Sequence, residues 1–140
     1  MADNTNTKVL IYTGRRLVMQ FTNVSDGTGE SLVTKVDISD YEHPSIPGKF
    51  ANRCAINKVI YSTAGMGVTI FFDSTATDQL ALSIPADVSD TLCYTEYGGI
   101  KSDPDLVGLT GDIKFSTVGH TSGDTYSIVM ELAVGFDQDD

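Results

Sequence analysis

Residues 111–136 read GDIKFSTVGHTSGDTYSIVMELAVGF, and their alternation decides the fold class. Ile113, Phe115 and Thr117 alternate with Asp112, Lys114 and Ser116 ahead of a turn-rich Gly119-His120-Thr121-Ser122-Gly123. Beyond that turn Tyr126, Ile128, Met130, Leu132, Val134 and Phe136 fall at every second position. A period of two sends successive side chains to opposite faces of a strand, so one face can bury while the other stays wet. Two such runs around a turn predict a β-hairpin.

The same pattern extends through most of the chain. KVLIY at 8–12 reads as a short strand, broken by Thr13-Gly14. Residues 16–23 set Leu17, Met19 and Phe21 against Val18, Gln20 and Thr22, and SDGTG at 25–29 is a strong turn. A partner strand is expected over 32–38. The segment 40–50, DYEHPSIPGKF, carries two prolines and a glycine and is the clearest loop. At roughly a dozen residues it reaches the length at which loops carry function or cross between sheets. Strands are expected next at 53–61, at 68–72 (VTIFF, apolar on both faces and so central), at 80–84 and near 91–97. The count and spacing predict an all-β fold: an antiparallel β-sandwich of roughly eight to nine strands, of jelly-roll or Greek-key type. Residues 1–7 read as a flexible N-terminal arm, 8–136 as a single sandwich domain and 137–140 as an acidic, solvated tail.

Composition narrows the function classes. The chain has 140 residues, 41% of them hydrophobic, which suits one core. No apolar run approaches the ~20 residues a membrane helix needs, and Met1–Thr7 lacks the basic-then-apolar pattern of a secretory leader. Synthesis in the cytosol and no membrane association are therefore expected. Net charge is −10 with only nine Lys and Arg, of which Arg15-Arg16 is the sole pair. That is the wrong balance for nucleic acid, where a basic stripe displaces counterions from phosphate. The acidity serves solubility, or a surface that docks on a basic partner. Cys54 and Cys93 sit in apolar surroundings and are expected as two buried thiols rather than a disulfide or zinc ligands.

Three constellations bear on chemistry. Asp26-x-Thr28-x-Glu30, with Asp73 and Asp78, has too few carboxylates at the wrong spacing for calcium and reads as turn residues bonding their own backbone. His43 and His120 lie in turns, and no Gly-x-Ser-x-Gly elbow accompanies them. Tyr41, Tyr61, Tyr94 and Tyr97 could pack loops or anchor an interface. Without tryptophan a carbohydrate platform has less to build on. No enzyme and no cofactor are expected.

The phrases Val24–Gly29 (VSDGTG), Val36-Asp37-Ile38-Ser39, Gly65-Met66-Gly67-Val68 running into Phe71-Phe72-Asp73, Gly111-Asp112-Ile113 and Gly119–Val129 resemble small virion structural proteins of tailed bacteriophages, notably marine and cyanobacterial ones. The resemblance implies a protein that decorates or cements the capsid shell, or forms part of the tail or neck. It implies the major capsid protein as partner, with copies of itself on the capsid, and a place at the virion surface after synthesis in the host cytoplasm. It carries over no catalytic residue. Contacts are expected from the arm at 1–8 and the loops at 40–50 and 98–107, with Asn4, Asn6, Tyr41, His43, Ile46, Phe50, Tyr94, Tyr97 and Ile100 as interface residues. Such segments can order on docking. A jelly-roll carbohydrate-binding module is the competing expectation from another class.

Overall fold

The computed structural model describes residues 4–43, 45–51, 53–75, 78–94, 99–100 and 109–135. Among them nine strands form two antiparallel sheets. In chain order these are β1 (Asn4–Tyr12), β2 (Arg16–Val24), β3 (Val33–Val36), β4 (Arg53–Ala64), β5 (Gly67–Ser74), β6 (Gln79–Ile84), β7 (Ser89–Cys93), β8 (Leu109–Val118) and β9 (Thr125–Gly135). One sheet runs β1-β2-β9-β4-β7 and the other β3-β8-β5-β6. The pair β2·β9 in the first continues as β3·β8 in the second, and β4·β7 continues as β5·β6. Contacts β4·β9 and β5·β8 close this folded ribbon. That connectivity is a jelly roll.

The hairpin expected at 111–136 does not form. Both runs are strands, but β8 and β9 lie in opposite sheets, and the turn between them is an arch across the sandwich. The same correction holds for β2 and β3, which the SDGTG turn also joins across the core. Each strand carries its own inward apolar row, and the two rows meet face to face rather than side by side. Phe21 of β2 packs edge-on to Phe115 of β8 at 5.0 Å, and Phe115 lies 6.0 Å from Tyr126 of β9. The two arches bond to each other: Ser25 N–H donates to Asp124 O at 2.7 Å and Gly123 N–H to Ser25 O at 2.8 Å.

Period two places the core where the alternation put it. Leu17, Met19 and Phe21 of β2 and Ile128, Met130 and Leu132 of β9 are all buried. Val68, Ile70 and Phe72 of β5 and Ile113 and Phe115 of β8 meet them from the other sheet. In β4 the register shifts between Ile56 and Lys58, so the inward set changes from Ile56 to Val59 and Tyr61, and Ile60 turns outward at 43% exposure.

Other boundaries move as well. The expected arm belongs from Asn4 onward to β1, which pairs with β2 from Asn4↔Val24 to Tyr12↔Leu17. Its NTNT start lacks the apolar alternation that marks a strand, but β2 supplies a backbone template. The strand expected over 32–38 is only Val33–Val36; Leu32 precedes it at φ 48° and Ile38 enters a buried 3-10 turn. The strand expected near 91–97 is Ser89–Cys93, and 95–98 lie outside the described residues, as do 101–108 and the tail.

Candidate interaction surface

The loop at 41–51 is a small built structure. It starts from the 3-10 turn Ile38–Asp40, where the Asp37 side chain accepts from Ser39 N–H and caps the turn. Tyr41 N–H then donates to Ile38 O, and Ala51 N–H returns to Tyr41 O at 2.8 Å. Between these, Glu42 and Phe50 form an antiparallel bridge, and His43 N–H donates to Lys49 O at 2.6 Å. The tip is held from inside: Gly48, at φ 83°, donates its N–H to Glu42 Oε2 at 2.8 Å, and Ser45 N–H donates to His43 Nδ1 at 3.0 Å. Only glycine adopts that φ without strain.

Two tyrosines fasten this loop to the sandwich. Tyr12, at the end of β1, packs on Tyr41 with ring centres 5.1 Å apart, and its hydroxyl donates to Glu42 O at 2.7 Å. The Tyr41 hydroxyl points at Met19 Sδ, 3.6 Å away. Both phenols are held above their ordinary range, first by burial, then by carboxylates: Glu42 for Tyr12, Asp40 and Asp37 for Tyr41. The consequence is that Ile46 and Phe50 stand 46% and 48% exposed on a loop whose described residues are bonded across it at Glu42–Phe50, His43–Lys49 and Gly48–Glu42. Phe50 is the one exposed aromatic among the described residues. Acidic groups lie at the base of the loop: Asp37 and Asp40 in the 3-10 turn that precedes it, and Asp112, which accepts from Ile38 N–H at 2.9 Å.

The expected interface residues fall into three places. Tyr41, His43, Ile46 and Phe50 share the loop, joined by Tyr12 from the end of the strand expected at 8–12. Ile100 bridges to Ile56, and Tyr94 N–H donates to Asn57 O at 2.7 Å, so both belong to the β4 side. The register row Tyr12–Leu17–Leu132–Ile56–Ile100 sets these two groups four strands apart, roughly 19 Å at ordinary strand spacing. Asn4 and Asn6 sit towards the other end of β1, opposite Val24 and Thr22. Tyr97 lies outside the described residues.

The rejected constellations are accounted for locally. Asp26 accepts from Thr28 N–H at 3.0 Å, as a turn aspartate does, whereas Glu30 is drawn inside and paired with Lys35. Asp73 and Asp78 both face the Lys114 ammonium, at 2.7 and 3.4 Å. His120 sits on the arch, 3.1 Å from Thr117 Oγ1, at the opposite end of the sandwich from His43. Of the two cysteines only Cys54 is buried; Cys93 is exposed on β7, because its neighbour Leu92 takes the inward position opposite Val59. Tyrosines 12, 41 and 94 are half-buried and 61 and 126 buried, so none of the described tyrosines offers an open stacking platform.

No protein-family model and no curated protein matches the chain. Among solved structures it is similar to a point mutant of a family 29 carbohydrate-binding module, 11% identical over 94% of this chain and 92% of that one, with a TM-score of 0.40. It is also similar to a cupin domain from Bordetella pertussis, 9% identical over 96% and 97%, with a TM-score of 0.36. A cupin superfamily protein from Desulfitobacterium hafniense is 10% identical over 96% and 80%, with a TM-score of 0.35. Neither ligand nor activity passes to this chain from likeness at that level.

Proposed function

We propose that this chain is a non-enzymatic structural protein of a tailed-phage virion that decorates or cements the shell by docking on major capsid protein subunits. The observation that carries the reading is the loop at 42–50: an internally bonded, tyrosine-anchored tip that presents Ile46 and Phe50 to solvent. A loop ordered before binding spends little conformational entropy on docking, and large apolar anchors at such a tip supply most of an interface's energy. The carboxylates at the base of the loop suit a basic rim on the partner. The resemblance of the sequence to phage virion proteins supplies the partner's identity. Many copies on one shell would gain by linked binding what each contact lacks singly.

The test is co-sedimentation of the full chain with phage heads that lack it. Phe50→Asp and Ile46→Asp should each cut shell occupancy by about tenfold or more, while their urea midpoints stay at the wild-type value because both side chains are exposed. Wild-type occupancy by both variants would overturn the docking assignment. Recovery of the chain with tails and not heads would favour the tail or neck reading, and retention on a glycan array would favour the sugar-binding one.

A further inference from the structure

The margin of the five-stranded sheet shows three features that belong together. First, β1 ends the sheet, so one side of a nine-residue strand has no partner among the described residues. Second, its core-facing side chains are uncovered. Thr5, Thr7 and Val9 pair with buried Asn23, Phe21 and Met19 and point to the same side, yet all three are exposed, Val9 at 44%. The five-stranded sheet has one strand more than its partner, and β1 overhangs. Leu10 and Ile11 add 44% and 39% exposure on the same strand. The facing margin is also open: β3 borders β8, whose Phe115 packs on Phe21, and Val33 there is 39% exposed although it pairs with buried Phe115.

Third, the charge is unevenly placed. Residues 4–25 hold Lys8, Arg15 and Arg16 and no Asp or Glu, so the −10 of the chain is −13 elsewhere. Two copies of so acidic a chain repel each other over most approaches, and this margin is where they meet least repulsion. The edge carries Lys8 and a register shift between Val9 and Ile11, but from Asn4 to Thr7 no charge, proline or bulge blunts it, and such an edge is a template for another strand.

We propose that two copies of this chain associate through β1, antiparallel about Thr7, to make one continuous ten-stranded sheet. In that register the core-facing pairs are Thr7 with Thr7 and Thr5 with Val9, and Asn6 stands opposite Lys8 on the outward face. No like charges stand opposite one another, whereas centring on Lys8 would oppose two ammonium groups, which is destabilising. The contact is isologous, so it closes at two copies. It rests on the β1 margin alone and holds whether or not the loop at 42–50 docks on a shell.

The experiment is sedimentation velocity on the full chain over a concentration series, with no phage component present. The wild type should shift with concentration from 15.0 kDa to twice that mass. Added salt should tighten the association, since it screens repulsion between acidic copies. Thr7→Lys places two ammonium groups on the axis and should weaken the dimer by about tenfold or more; Thr7 is exposed, so the urea midpoint should hold. In a Cys93→Ser background, Thr7→Cys should oxidise to a covalent dimer, because directly opposite residues in an antiparallel pair have Cα atoms about 4.5–5.5 Å apart, within the span a disulfide bridges. Leu80→Cys, on the exposed margin strand β6, should not. A wild type that stays monomeric throughout, a dimer indifferent to Thr7→Lys, or cross-linking equal at both positions would each overturn the proposal.

Discussion

The phenol of Tyr126 donates to the Glu30 carboxylate at 2.6 Å, tying the start of β9 to the arch that leaves β2. Asn23 Nδ2 donates to the same oxygen at 3.0 Å, the Lys35 ammonium pairs with the other, and Glu30 N–H donates to Thr117 Oγ1 at 2.8 Å. Both ion-pair side chains are only 5% exposed, so this polar cluster is sealed beneath the crossing arches. Removing one partner of a buried pair leaves an uncompensated charge, which costs about 3–5 kcal/mol. Lys35→Met should therefore destabilise by about that amount. Tyr126→Phe deletes one hydrogen bond to a charged group and should cost about 1.5–3 kcal/mol. Glu30→Gln with Lys35→Met should be less damaging than Lys35→Met alone. Urea unfolding followed by circular dichroism checks the ranking, and a Lys35→Met midpoint equal to wild type would contradict it.

Asp112 carries an opposite lesson. Burial raises its carboxyl above the usual carboxylate range, Ile38 N–H pulls it back, and Asp37, Asp73 and Asp40 push it up again. The native state then holds the proton to higher pH than the unfolded chain, so stability falls as pH climbs above about 4. Asp112→Asn keeps an acceptor for Ile38 N–H and drops the repulsion. It should raise stability at pH 7 by at most about 1 kcal/mol, given that the group is partly solvated and screened. Unfolding midpoints measured at pH 7 and pH 4 should show the gain at the first and not at the second.

The two cysteines should separate cleanly by reactivity. Burial, with a smaller push from the Asp112 charge, takes the Cys54 thiol up to about 12, and it is the thiolate that reacts. At pH 8 a thiol reagent should modify one sulfur per native chain, at exposed Cys93, and a second only after denaturation. The same shift means that stability declines as pH rises from the ordinary 9.0 toward 12, because the unfolded chain ionises this thiol and the native one does not. Rapid labelling of Cys54 in native protein would contradict the burial.

Strand existence was legible in this sequence because half-buried strands write their faces into it at period two, as in β8 and β9. Connectivity was not. Ser25–Gly29 and Gly119–Gly123 use the residues any tight reversal uses, and the same chemistry serves a hairpin within one sheet and an arch between two. What sends β2 to β3 and β8 to β9 across the sandwich is the mutual packing of Phe21, Phe115 and Tyr126, which no local window contains. The same holds for Glu30, which reads as a turn residue and is instead sealed inside with Lys35. The loop at 40–50 announced itself through its prolines. Its anchor Tyr12 did not, since an aromatic at a strand end looks like core. Nor did the uncovered face of β1, which depends on one sheet having more strands than the other.

Imaging of the assembled virion at side-chain resolution tests the docking claim most directly. The account predicts nine-stranded sandwiches seated on the capsid shell, with Ile46 and Phe50 buried against a major capsid protein subunit. A chain missing from the shell, or one seated there with the tip at 42–50 facing solvent, would contradict it.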